Sequence, residues 1–122
     1  DGWDGILEVS VDTNILEGTV FLTPFVSNDD DPAVQSFVEK YKEKTKEVPD
    51  QFAADGYDCV YVIKAALEKA GSIESEDLIS AMTEIEIDGL TGHVTFDESG
   101  EPNKEVKLVS IKNGEYEIFT QE

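Results

Sequence analysis

The chain has 122 residues, of which 39% are hydrophobic, enough for one compact unit with a core and too many for a disordered tail. Nine Lys and Arg against 28 Asp and Glu leave a formal charge of −19. That balance argues against nucleic acid, which is bound by clustered cations that release counterions, and against an anionic membrane surface. A single cysteine, Cys59, allows no intrachain disulfide, and no apolar stretch is long enough to span a membrane as a helix.

Residues 1–5, Asp-Gly-Trp-Asp-Gly, form a turn-prone string with a large aromatic in it. In α/β proteins such strings follow the carboxyl end of a sheet strand, where ligands collect, so the preceding strand is expected outside this chain. Between Ile6 and Ile15 the apolar residues fix no period, which predicts a short helix or turn. Thr19–Thr23 is a β-branched and aromatic run closed by Pro24 and predicts a strand. Asp31 is placed to cap a helix with Pro32 at its first position. Val34, Phe37, Val38 and Tyr41 give that helix one apolar stripe, and Val48-Pro49 is expected to end it.

A second helix is predicted from about residue 53 to Ala70, with Cys59, Val60, Ile63, Ala66 and Leu67 facing inward and Gly71 as its terminator. Cys59 is then a small buried hydrophobe. Ser75 is expected to cap a third helix, with Glu76 and Asp77 in the first turn and Leu78, Ile79 and Met82 on its apolar side. The expectation is thus of three helices of decreasing length. Leu90–Asp97 alternates with period two and predicts one strand. After the turn at Ser99-Gly100, Val106–Ile111 and Tyr116–Phe119 flank Asn113-Gly114, a strong hairpin signal, so the chain is expected to end in a β-meander.

Nothing in the pattern points to catalysis. The single His93 lies far from Cys59 in sequence, and no G-x-S-x-G, P-loop, H-E-x-x-H or G-x-G-x-x-G string occurs. The run Asn28-Asp29-Asp30-Asp31 lacks the alternating ligands, turn glycine and distal glutamate of a calcium loop and reads as a solvated acidic loop. Lysines and glutamates interleaved between Glu39 and Glu47 read as a solvated helix face.

Four strings in order carry a family resemblance: Asp-Gly-Trp-Asp-Gly at 1–5, Asp-Pro-Ala-Val-Gln-Ser-Phe-Val at 31–38, Phe-Ala-Ala-Asp-Gly-Tyr-Asp at 52–58 with the helix ending Glu-Lys-Ala-Gly-Ser at 68–72, and Gly-Leu-Thr-Gly-His-Val-Thr-Phe-Asp at 89–97. Together they resemble type I periplasmic binding proteins, and among these the leucine/isoleucine/valine-binding components of ABC importers. The resemblance implies an α/β chain that is the carboxy-terminal portion of a two-lobed fold, with three helices plus strands and a closing β-hairpin. Residues 1–23 would end the far lobe and cross the hinge, 24–105 would complete the amino-terminal lobe, and 106–122 would return to the far lobe.

The resemblance also implies a role: an extracytoplasmic protein, in the periplasm or at the cell surface and lipoprotein-anchored if the cell is Gram-positive, that binds an amino acid without cofactor or metal and delivers it to a membrane permease. Asp1 aligns with the acid that grips the ligand's α-ammonium. Trp3 would wall the side-chain pocket, Phe52 would contact the apolar side chain, and Asp55 lies at the same helix entrance. A zwitterion buried without such partners would be costly. Alone, the chain is expected to bind free amino acid weakly, and its uncovered sheet edges to favour dimers. A ligand-sensing receptor ectodomain of the same fold, or a free-standing acidic interaction domain, are the alternative readings.

Overall fold

The computed structural model describes residues 3–119. Asp1 therefore lies outside the described residues. The chain divides into two units: residues up to 52 together with those from 106 onward, and residues 53–105.

The first unit is built on a three-stranded antiparallel sheet in which β5 (Lys107–Lys112) lies between β1 (Val20–Thr23) and β6 (Glu115–Ile118). Phe21 sits opposite Val109, and Ile111 opposite Tyr116. Val109 and Ile111, on the central strand, are fully buried, and Leu16, Phe21 and Val26 close the core around them. Phe21 meets the Tyr116 ring edge-on at 5.7 Å. The β5–β6 connection is the two-residue turn expected: Asn113 (φ 54°) and Gly114 (φ 76°) are both left-handed, which matches the twist of the paired strands. The ambiguous stretch before β1 resolves into a one-turn helix, α1 (Ile6–Val9), and a 3-10 turn at Thr13–Leu16.

Helix α2 (Pro32–Thr45) begins as expected, with the Asp31 side chain accepting the Ala33 N–H at 2.7 Å and Pro32 in the first turn. Val34 and Val38 are buried, and Phe37 packs edge-on against Phe25 at 6.0 Å. The helix stops three residues before Val48 because Lys46 turns left-handed (φ 68°) and Thr45 Oγ1 accepts the Glu47 N–H at 3.1 Å. A following proline sets only the farthest point a helix can reach.

Helix α3 (Gln51–Ala70) opens in the first unit and runs through the second. At 20 residues it is longer than α2 (14) and α4 (Ser75–Met82, 8), so the expected order of decreasing length does not hold. Its inward face is also corrected. Gln51, Ala54, Asp58, Val62 and Ala66 are buried, whereas Cys59, Val60, Ile63 and Leu67 are exposed; of the five residues expected inside, only Ala66 is. The reason is Asp58, 3% exposed, whose carboxylate accepts the N–H groups of Leu90 and Thr91, each at 2.9 Å, and the Thr91 hydroxyl at 2.7 Å. A carboxylate satisfied by three donors can occupy the core side of a helix, and it draws its whole stripe inward.

Leu90 and Thr91 are themselves a turn. The strand expected over Leu90–Asp97 is a hairpin, β2 (Ile87–Gly89) and β3 (Gly92–Phe96), with Gly89 paired to Gly92 and β4 (Pro102–Asn103) on the other side of β3. Because β4 pairs in this sheet and β5 in the other, the carboxy-terminal strands do not form one meander. Val62, Ala66 and Ile85 form the second core, with Leu78, Met82 and Phe96 packed on it. Gly71 ends α3 in the left-handed conformation expected of it (φ 61°). The residue preceding α4 is Glu74, which makes no side-chain cap; Ser75 is the first helical residue and not the cap.

Candidate functional site

The turn at residues 3–5, α1 and the segment entering α3 enclose a small cavity of about 30 Å³ within the first unit. Asp4, Glu8, Thr23, Phe25, Asp50 and Tyr116 are among its lining residues. Asp4 is the polar centre of this group. One of its oxygens accepts the Gly5 N–H at 3.1 Å, which shapes the turn, and the other accepts the N–H of Gln51, the first residue of α3. Burial holds the Asp4 carboxyl above the ordinary carboxylate range. The Gln51 hydrogen bond opposes that shift, the charge of Asp50 adds to it, and the Gly5 hydrogen bond opposes it again. Tyr116 offers its hydroxyl oxygen to the Leu7 N–H at 3.4 Å, and burial raises its pKa as well.

Of the residues expected at a site, Trp3 and Phe52 both belong to this unit and are exposed, at 45% and 59%. Asp55 belongs to the second unit, where it is paired with Lys104 Nζ at 2.6 Å. Tyr57 stacks on Tyr61 with ring centres 4.9 Å apart and the hydroxyls 3.1 Å apart. The acidic loop after β1 is tied into the fold: Asp29 is paired with Lys107 and accepts the Asp31 N–H at 3.0 Å. Among the described residues no group of three or more His, Cys, Asp or Glu side chains is arranged to hold a metal ion. Nor is any helix there long and apolar enough to cross a membrane.

Asp4 was not singled out in the sequence. Its signal was present, since Asp4-Gly5 repeats the Asp1-Gly2 pair within the same turn string, but nothing local shows that a helix beginning 47 residues later presents its first N–H to it.

A family model described as periplasmic binding protein matches residues 6–115. The chain belongs to the periplasmic binding protein family. Members of this family are solute-binding proteins. A leucine-binding protein from Thermotoga maritima is 32% identical, with a TM-score of 0.71 over 86% of this chain and 31% of that one. An ABC transporter substrate-binding protein from Desulfitobacterium hafniense, solved with leucine, is 28% identical, with a TM-score of 0.71 over 85% of this chain and 32% of that one. A solute-binding protein from R. palustris, solved with benzoate, is similar in fold, with 22% identity and a TM-score of 0.78 over 94% of this chain and 32% of that one. The chain thus spans about a third of the length of these family members.

Proposed function

We propose that the chain is part of the extracytoplasmic substrate-binding component of an ABC importer for branched-chain or related amino acids. The observation that carries this reading is the 32% identity to a leucine-binding family member, sustained over 86% of the chain. In this reading Asp1 holds the ligand's ammonium, and Trp3 and Phe52 supply apolar walls to an aliphatic side chain, worth about 25 cal/mol for each Å² they bury. Asp55 serves through its Lys104 pair, shaping the helix entrance. Residues 1–23, 24–105 and 106–122 are assigned to the far lobe and hinge, the amino-terminal lobe and the returning strands. The ligand passes to a membrane permease, and the protein lies in the periplasm or, in a Gram-positive cell, is held at the cell surface by a lipid anchor.

The edge strands support one further element of the proposal. Among the described residues β1 pairs on one edge only, with β5, and it exposes Val20 and Leu22, so the 122-residue chain by itself is expected to pair with a second copy and to bind amino acid weakly. The deciding experiment is a thermal-shift screen of amino acids on the complete two-lobed protein. Leucine, isoleucine or valine should raise the midpoint in a concentration-dependent way. No shift with any aliphatic amino acid sinks the substrate assignment.

A further inference from the structure

We propose that Asp4 is a positioning residue of the ligand site: its carboxylate caps the first turn of α3 and fixes the turn bearing Trp3 to the helix start bearing Phe52. The proposal rests on the binding-protein reading above, in which those two aromatics are the apolar walls.

The first N–H groups of a helix have no partner inside it and must be met from elsewhere. For Gln51 that partner is Asp4, while the other Asp4 oxygen is occupied by the Gly5 N–H, so a single side chain shapes the turn and grips the helix. The grip continues into the sheet, because Gln51 Oε1 lies 3.0 Å from the hydroxyl of Thr23 at the end of β1. All four residues belong to the first unit.

The electrostatics show what the contact costs. Among the described residues, the ionisable groups lining the cavity with Asp4 are Glu8 from α1, Asp50 from the segment entering α3 and Tyr116 from β6, with no Lys, Arg or His. A desolvated carboxylate beside the charge of Asp50 is unfavourable at neutral pH, and an uncharged acceptor would serve stability at least as well. Its contribution is therefore the geometry it imposes on two segments that each present an exposed aromatic. Loosening them lowers the fraction of molecules with both walls in place, and the apparent Kd rises by the inverse of that fraction.

The test combines two measurements on wild type, Asp4→Ala and Asp4→Asn. In the 122-residue chain the Gln51 amide is followed by NMR. Its signal should move with pH as Asp4 titrates above the usual carboxylate range, and Asp4→Ala should abolish that movement. In the complete two-lobed protein, leucine titration should show about tenfold weaker binding for Asp4→Ala, the loss expected of one charge-assisted hydrogen bond. Asp4→Asn, which keeps an acceptor oxygen, should recover part of it. A Gln51 signal that ignores pH, or is unchanged in Asp4→Ala, overturns the proposal, as does equal leucine affinity in all three proteins. If wild type binds no aliphatic amino acid, the amino-acid reading fails instead, and the Gln51 signal alone then decides whether Asp4 caps α3.

Discussion

Replacing Gly89 by alanine adds one methyl group, and the structure gives it no room. A Cβ at Gly89 would lie 2.5 Å from Asp58 Oδ2, 2.6 Å from Cγ and 2.8 Å from Oδ1, distances that real Cβ contacts do not show. The Gly89 backbone is outside the left-handed region, so alanine carries no conformational penalty and the whole effect is steric. What must move is the carboxylate that binds Leu90 N, Thr91 N and Thr91 Oγ1. Displacing it strands a buried charge and two backbone donors. Each charged hydrogen bond is worth about 1.5–3 kcal/mol, and since the three are shared by one group they do not add fully. Gly89→Ala is therefore expected to destabilise residues 53–105 by about 3 kcal/mol, lowering the thermal midpoint by roughly 12–24 °C. The assay is circular dichroism melting, with hydrogen exchange at the Leu90 and Thr91 amides to localise the loss. Asp58→Ala should be comparably destabilising, and adding Gly89→Ala to it should cost little more, since the carboxylate that the methyl would strike is gone. Gly89→Ala within about 0.5 kcal/mol of wild type, or full additivity in the double variant, would refute the reasoning.

Two further outcomes follow from groups in the first unit. Ser110 is 3% exposed and its hydroxyl has no hydrogen-bond partner among the described residues, so Ser110→Ala should leave stability unchanged or raise it by up to about 1 kcal/mol in urea titration; a clear loss would reveal a partner. Burial alone would raise the Asp29 pKa, but the Lys107 hydrogen bond, the Asp31 N–H and the Lys107 charge outweigh it and hold the group below its ordinary value of 3.8. A lowered folded-state pKa contributes stability that is present above the unfolded value and lost as pH falls through the folded one. Lys107→Met should therefore flatten the acid end of the stability profile, below about pH 4, and an unchanged profile would count against the pair.

Elements whose determinants are adjacent in sequence were legible. Asp31-Pro32 names the start of α2, Gly71 the end of α3, and Asn113-Gly114 the turn between β5 and β6, because each acts through its own backbone or a partner one turn away. What failed were features decided at a distance. Helix α3 carries two faces of apolar or small residues, and periodicity favours the richer one, with Val60, Ile63 and Leu67. The choice between them is made by Asp58, whose donors lie 32 and 33 residues further on. The Leu90-Thr91 turn was missed for a related reason: neither residue favours a turn, and the glycine with the turn-compatible dihedral is Gly92, one position later (φ 101°). The candidate site follows the same division. Trp3 and Phe52 are named through the family resemblance, whereas the Asp4–Gln51 hydrogen bond and the Asp55–Lys104 pair join residues 47 and 49 positions apart, which no local pattern announces.

The order in which the two units close their cores follows from where the chain leaves and re-enters the first one. Residues 53–105 hold both halves of each of their strand pairings, so a nascent chain can complete that unit as soon as Asn103 has emerged. β1 is made far earlier and among the described residues pairs only with β5, Val20 opposite Ser110, so that pairing waits for the entire second unit to be synthesised, roughly 4–17 s at ordinary translation rates. During that interval Phe21 has neither Val109 nor Ile111 to pack on, and the edge of β1 that β5 will cover is unpaired. A pause in translation between residues 24 and 106 should therefore raise aggregation more than a pause after residue 112, when β5 is already made.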